Sequence, residues 1–403
     1  MDLSFLRPQK TFAQKLRVVL TGGGSGGHTF PLIAVERELK KQANRQNIQL
    51  EIMYLGPADF TVPYLVREGI TIKTIKAGKL RREWSFQNLV DFFNTLAGLF
   101  QAMWHLYFFM PDFIFSKGGY GSFPVTFWGF LFFIPTYIHE SDSIPGLANR
   151  LAGKFAKKVF LSFESSGRYF PAAKTILTGN PIREDIFLES YDPQATKKLL
   201  GLSERPLVTI IGGSQGSQHI NDFILDILPK LLERLEIIHQ VGTNNFSQVQ
   251  KELEIIFQEI VKNAELQQYY HPVPFLEEST TPSLNSLKDV LLISDLIIAR
   301  AGSGLIFEIA ASSKPAIIIP LPWAAQDHQK QNAYEYAKSG AAIVVEEQNL
   351  KPNLFSDLIF RLLDNKEKLA AMRQAAQAFA KPKAAEQIAQ YLLQETQNLI
   401  TNF

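Results

Sequence analysis

Leu16-Arg-Val-Val-Leu-Thr-Gly-Gly-Gly-Ser-Gly-Gly-His28 joins a β-branched run to a glycine-rich turn, and residues 30–44 continue it with helical spacing. The same grammar returns in the second half as Leu207-Val-Thr-Ile-Ile-Gly-Gly-Ser-Gln-Gly-Ser217. A strand that feeds a glycine turn and then a helix starts a parallel βαβ unit. Such a turn lets backbone N–H groups approach a diphosphate, and the helix behind it presents a partial positive charge to the same anion. Two of these turns predict two domains, each with a phosphate-bearing ligand.

Working outward, candidate strands at 50–56, 71–75, 113–116, 135–138, 158–161 and 175–178 alternate with helical segments, as do those at 237–241, 296–299, 316–319 and 342–345. Asn180-Pro-Ile-Arg183 and Tyr191-Asp-Pro193 bracket a polar linker between the two sets. The expected organisation is an extension at 1–15, an N-terminal domain at 16–183, a linker at 184–193, a C-terminal domain at 194–363 and a helical segment at 364–403. The fold class is α/β, with two Rossmann-like doubly wound domains. Residues 266–288, rich in Ser, Thr, Pro and Glu, read as a long surface loop.

With 46% apolar residues in 403, the chain can bury substantial cores. Its 41 basic and 39 acidic residues leave a net charge of +2, which gives no global field for nucleic acid. There is no cysteine, so disulfides and thiolate metal sites are excluded. Neither an Asp-x-Asp pair nor a His/Asp/Glu cluster with ligand spacing is present, and no metal or other cofactor is expected. The first 15 residues do not read as a secretory signal.

Thirteen of the 31 phenylalanines fall between Trp84 and Pro135. Residues 92–110 carry no charge apart from His105, long enough to invite a transmembrane reading. However, Leu89, Phe92, Phe93, Leu96, Phe100, Met103, Trp104 and Tyr107 recur at helical spacing, with Asn88, Asp91, Asn94, Gln101 and His105 opposite. That pattern predicts an amphipathic helix in the core or on a membrane surface. Lys73, Lys76, Lys79, Arg81 and Arg82 precede this region and Lys154, Lys157 and Lys158 follow it, charge suited to anionic lipid as well as to ordinary solvated surface.

The first turn contains Gly22-x-Gly24-x-x-Gly27, a dinucleotide fingerprint in isolation. The second strand ends Tyr54-Leu55-Gly56-Pro57, without the acidic residue that would take a ribose diol, so NAD is disfavoured. His28 stands where the helix dipole favours a neutral imidazole, available as a base. In the second half Arg300-Ala-Gly-Ser-Gly304 leads to Glu308, either a ribose acceptor or a dipole-stabilising carboxylate. Asp327-His-Gln329-x-x-Asn332 supplies groups suited to sugar hydroxyls. Without a metal, leaving-group charge falls to helix N-termini and to cations such as Arg183. The absence of a Gly-x-Ser-x-Gly elbow argues against a hydrolase of that type.

Together with Lys117-Gly-Gly-Tyr-Gly121, His139-Glu-Ser-Asp-Ser-Ile-Pro-Gly146 and Gly179-Asn-Pro-Ile-Arg183, these motifs, in this order, resemble the MurG family of UDP-N-acetylglucosamine:lipid I N-acetylglucosaminyl transferases. The resemblance spans roughly 17–350 and implies a GT-B fold with an interdomain cleft. It implies inverting transfer of N-acetylglucosamine from its UDP donor to undecaprenyl-linked lipid I, giving lipid II for cell-wall growth, cell shape and division. It also implies peripheral attachment to an anionic membrane on the cytoplasmic face.

By the same resemblance, Gly24, Ser25, Gly26, Gly27 and Tyr120 face the acceptor, with His28, Glu140 and Asp142 as catalytic candidates. Some members carry Asn where this chain has Asp142, which adds a carboxylate able to share the role of His28. Arg183, Ser214 and Gln215 would hold the donor diphosphate, Glu308 the ribose, the backbone near Leu276 the uracil, and Gln329 with Asn332 the sugar. The alternatives are a GT-B transferase with another lipid acceptor, a UDP-sugar epimerase and a noncatalytic scaffold.

Overall fold

The computed structural model describes residues 14–23, 26–59, 61–78, 86–183, 186, 191–213, 215–261, 263–279 and 281–401. The chain divides into two units: residues 1–182 with 383–403, and residues 183–382.

In the first unit, β1 (Gln14–Thr21), α1 (Gly26–Arg45), β2 (Ile48–Gly56), α2 (Val62–Arg67) and β3 (Thr71–Thr74) come first. They are followed by α3 (Phe86–Phe109), β4 (Phe113–Ser116), α4 (Phe123–Leu131), β5 (Thr136–Glu140), α5 (Leu147–Phe155), β6 (Lys158–Leu161) and β7 (Thr175–Leu177). All seven strands are parallel, in the order β3-β2-β1-β4-β5-β6-β7. The order reverses between β1 and β4. In doubly wound sheets, ligands bind at the carboxyl ends of the strands at that switch point, and there the first glycine turn lies. Gln14 and Lys15 belong to β1, with Lys15 paired to Glu51 at 2.8 Å, so the extension is shorter than expected.

The second unit runs α6 (Pro193–Leu199), β8 (Leu207–Ile211), α7 (Gln218–Leu232), β9 (Glu236–Gln240), α8 (Phe246–Ile255) and β10 (Tyr270–Val273). It continues with α9 (Leu287–Ile293), β11 (Leu296–Ala299), α10 (Ser303–Ala311), β12 (Ala316–Ile318), α11 (His328–Lys338), β13 (Ala342–Val344), α12 (Pro352–Asp364) and α13 (Lys366–Phe379). Its strands are also all parallel, in the order β10-β9-β8-β11-β12-β13. The switch point falls between β8 and β11, where the second glycine turn emerges. Every residue of β8, β9 and β11 is buried, as a sheet covered on both faces requires.

Three further expectations are corrected. The stretch 266–288 is not one loop: it contains β10, an edge strand that tolerates Pro272, and the start of α9. The Glu277–Ser286 bridge closes the remainder. The stretch 364–403 is not one segment. Phe379 of α13 packs on Phe307 and Tyr336 within the second unit, whereas α14 (Ala384–Thr401) buries Ile388, Leu392 and Leu393 against the first. Arg183, read as the last residue of the first domain, falls in the second unit.

The helix α3 is amphipathic with its apolar stripe outward. Gly98, Ala102 and Leu106 face the sheet, and Gln101 accepts a hydrogen bond from the Lys76 backbone N–H at 2.7 Å. Phe92, Phe93, Phe100, Trp104, Tyr107 and Phe108 are all exposed. The stripe continues on α4 with Phe127, Phe130 and Leu131, and on α5 with Leu147, Leu151 and Phe155; Phe133, between α4 and β5, is 92% exposed. No described helix is long and apolar enough to cross a membrane. Of the flanking cations, Lys73, Lys76 and Lys154 are exposed, Lys157 is paired with Glu395 at 2.8 Å, and Lys158 donates to the Ala173 carbonyl. Lys79, Arg81 and Arg82 lie outside the described residues.

Candidate active site

In the first unit, two loops meet across the switch point. The Gly22 carbonyl accepts the Tyr54 hydroxyl at 2.9 Å, which fixes the exit from β1. Gly24 and Ser25 lie outside the described residues. Gly26 is buried, Gly27 exposed, and His28 half-buried in the first turn of α1. From β4 comes Lys117-Gly-Gly-Tyr120. Gly119 has φ 82°, and a Cβ there would lie 2.8 Å from the Gly23 carbonyl oxygen and 3.3 Å from His28 Nε2. Only glycine lets this loop approach the imidazole so closely. Tyr120 follows, half-buried, its hydroxyl pKa raised by burial and then by Asp59 and Asp91.

The next strand, β5, delivers the carboxylates. Glu140 Oε1 accepts the Asp142 backbone N–H, and Oε2 accepts Asn149 Nδ2, both at 2.9 Å. Burial and then the Asp142 charge push the Glu140 carboxyl up to about 7. Asp142 is half-buried and more open. The three catalytic candidates therefore differ: His28 and Asp142 retain exposed surface, whereas Glu140 sits behind them and braces the turn that carries Asp142. His139 is fully buried and donates from Nε2 to the Gly179 carbonyl at 3.0 Å. Burial and Lys117 hold its pKa well below the ordinary imidazole value.

The second unit repeats the arrangement with different chemistry. Ser214 lies outside the described residues and Gln215 is exposed. Gly216 has φ 76°, and a Cβ there would come within 2.1 Å of the Val241 carbonyl oxygen, so the turn depends on glycine to close on β9. Opposite, Arg300 is buried. Its Nη2 donates to Ser217 Oγ at 2.6 Å and lies 2.5 Å from Glu347 Oε2; its Nη1 reaches the Ile319 and Pro320 carbonyls. This guanidinium ties the glycine turn to the ends of β11 and β12. The motif containing Arg300 was legible in sequence, but its role was not, because Glu347 carries no motif signal.

Arg183 and Glu308 form a shielded ion pair, Nε to Oε1 3.5 Å. Leu276 is buried just beyond β10, beside the bridge at Glu277. Gln326 and Asp327 both adopt left-handed backbone, φ 58° and 56°, strain of the kind that clusters in ligand-binding loops. Gln329 Oε1 accepts the Leu321 N–H at 3.1 Å. Asn332 is fully buried and donates to the Ala301 carbonyl at 3.4 Å. It braces the loop before α10 from behind, whereas Gln329 is half-buried.

Residues 18–161 match the glycosyltransferase family 28 N-terminal domain and residues 207–388 its C-terminal domain. A UDP-N-acetylglucosamine–N-acetylmuramyl-(pentapeptide) pyrophosphoryl-undecaprenol N-acetylglucosamine transferase of Treponema denticola is 33% identical over 93% of this chain and 96% of its own length. The chain belongs to the MurG family. It is a glycosyltransferase. The crystal structure of Acinetobacter baumannii MurG superposes with a TM-score of 0.69 at 25% identity, covering 94% of this chain and 99% of that one. A UDP-GlcNAc 2-epimerase from Neisseria meningitidis, bound to UDP-GlcNAc, gives 0.64 at 14% identity, covering 94% and 100%. That second likeness is one of fold. The MurG assignment rests on the identity shared along nearly the whole chain, and the expected α/β fold of two doubly wound sheets is what the structure has.

Proposed function

We propose that this MurG-family enzyme transfers N-acetylglucosamine, with inversion, from UDP-N-acetylglucosamine to the muramyl sugar of undecaprenyl-diphosphate-linked lipid I, giving lipid II. The observation that carries this reading is the duplication of a glycine turn at a switch point with unlike neighbours. One turn has an imidazole and carboxylates beside it. The other has the buried Arg300 bonded to Ser217 beside it, in the unit where Arg183 pairs with Glu308. The first set suits an acceptor whose hydroxyl must lose a proton, and the second suits a nucleoside diphosphate.

In the reaction, the acceptor oxygen bonds to the anomeric carbon as the bond from that carbon to the UDP oxygen breaks. His28 or Asp142 takes the hydroxyl proton, and the Gly26–Gly27 helix start with Tyr120 lines the acceptor side. Arg183 and the N-terminus of α7, beside Ser214 and Gln215, stabilise the charge that develops on UDP. Glu308 accepts the ribose hydroxyls, the backbone at Leu276 reads the base, and Gln329 holds the sugar. No step calls for a metal or other cofactor.

The outward apolar faces of α3, α4 and α5, with Lys73, Lys76 and Lys154, suit insertion into the headgroup region of an anionic membrane, where a lipid-linked acceptor resides. The enzyme would act as a peripheral protein on the cytoplasmic face. The test is transfer of labelled N-acetylglucosamine from the UDP donor to a short-chain lipid I analogue, with no-acceptor and EDTA controls. Acceptor-dependent, EDTA-insensitive product supports the reading. UDP release without acceptor would replace it with an epimerase or hydrolase.

A further inference from the structure

Lys117 is the residue just past β4, and it is 1% exposed. Among the described residues its ammonium has no hydrogen-bond partner. A buried, unpaired ammonium is costly unless opposite charge lies nearby. Register supplies that charge: Ser116 pairs with Ile138, which brings Lys117 level with the carboxyl end of β5. The titratable groups whose fields it shares are Glu140, Asp142 and His139. From α5, Asn149 fits between them. Its Nδ2 donates to Glu140 Oε2, and its amide presses on Gly118, where a Cβ would come within 2.5 Å of Oδ1. From α1, His28 lies against Gly119. The strip 117–119 thus has His28 on one side and the Glu140–Asn149 pair on the other.

Both Glu140 oxygens already accept N–H groups, from Asp142 and Asn149. Protonation would turn one oxygen into a donor facing a donor and loosen the turn that carries Asp142. Burial favours that protonation, and the Lys117 cation opposes it. The effect is mutual, since the carboxylates also help the buried amine keep its proton.

We propose that Lys117 is a positioning residue: its buried ammonium, level with the end of β5, is the counter-charge for the Glu140 carboxylate, so that the 140–143 turn presents Asp142 in fixed geometry to the acceptor. The consequence for catalysis rests on reading this unit as the acceptor site. The charge relationship itself does not.

The test has two readouts. Infrared difference titration follows the buried carboxyl in wild type, Lys117→Met and Lys117→Arg, with Glu140→Gln assigning the band. In Lys117→Met the midpoint should move to higher pH, by about tenfold in proton concentration or more, and in Lys117→Arg it should stay near wild type. In transfer assays, the acid limb of kcat should move the same way in Lys117→Met, with KM for UDP-N-acetylglucosamine unchanged. An unmoved carboxyl midpoint in Lys117→Met overturns the proposal, whatever the activity. If Lys117→Met does not fold, Lys117→Met/Glu140→Gln should fold, because the unbalanced charge is gone; failure of both variants overturns the proposal in favour of a packing role. Wild type without transfer but with the shifted midpoint would retire the substrate reading and leave the Lys117–Glu140 relationship standing.

Discussion

Arg183 Nε lies 3.5 Å from Glu308 Oε1, and each side chain is only about a tenth exposed. Within the second unit these residues come from distant points of the sequence, the chain entering the unit and the helix after β11. Each holds the other in place, so removing either should disturb the proposed donor site through both. Glu308→Ala should weaken UDP binding by roughly 1.5–3 kcal/mol, the scale of a lost charged hydrogen bond. Arg183→Ala should do the same, and the double variant should lose less than the sum. Calorimetric titration with UDP checks this. Additive losses would mean the residues act independently, and an unchanged affinity in Glu308→Ala would remove it from the ribose role.

His28 and Asp142 are the two bases proposed for the acceptor hydroxyl, and their surroundings differ. The imidazole meets the backbone at Gly119, while Asp142 rides on a turn fastened by Glu140. His28→Ala should lower kcat by about 10²–10⁴-fold, the usual contribution of general base catalysis, with UDP affinity unchanged. A normal kcat in that variant would move the proton to Asp142, and Asp142→Asn would then show the loss.

His239 is fully buried in the second unit, its Nδ1 2.8 Å from the Tyr270 hydroxyl, and burial lowers its pKa to about 3. Its unfolded value is near 6.5. A depressed folded pKa stabilises above the unfolded value and loses that stability as pH falls toward the folded one. Between pH 6 and 4 this one group should therefore take away up to about 1.4 kcal/mol per pH unit. Denaturant unfolding at several pH values measures the slope. His239→Gln should flatten it by close to one proton, and the same slope in the variant would assign the acid sensitivity elsewhere.

The fold was legible because strand and glycine turn are both local signals. Val18-Val19-Leu20 and the mostly apolar Leu207–Ile211 are runs too apolar for a half-exposed sheet, and the turns after them have few other uses. In the candidate site, motif and geometry coincide at His28, which lies against Gly119, and at Arg183, which pairs with Glu308. The site was hidden where a residue's role depends on depth: Asn332 carries an amide suited to a sugar hydroxyl and is fully buried, and Lys117, quoted only as part of a glycine motif, is buried too. β10 was missed because His271 and Pro272 interrupt the apolar pattern that an edge strand does not need. The α3 stripe was read correctly as amphipathic, but periodicity alone cannot say which face turns toward the sheet.

That inverted helix leads to the last prediction. In a helix packed on a soluble core, replacing two large apolar residues by Asp costs several kcal/mol, because buried contacts are lost and charge is desolvated. Phe100 and Trp104 are 67% and 61% exposed, so in this protein Phe100→Asp/Trp104→Asp should leave the melting temperature almost unchanged. Binding to vesicles containing anionic phospholipid should fall by tenfold or more, since both apolar insertion and charge attraction are weakened. Raising the salt concentration should weaken wild-type binding only in part, because the apolar contribution is not screened. A large drop in melting temperature would show that the face is covered by protein. Full vesicle binding by the variant would move the docking surface off α3.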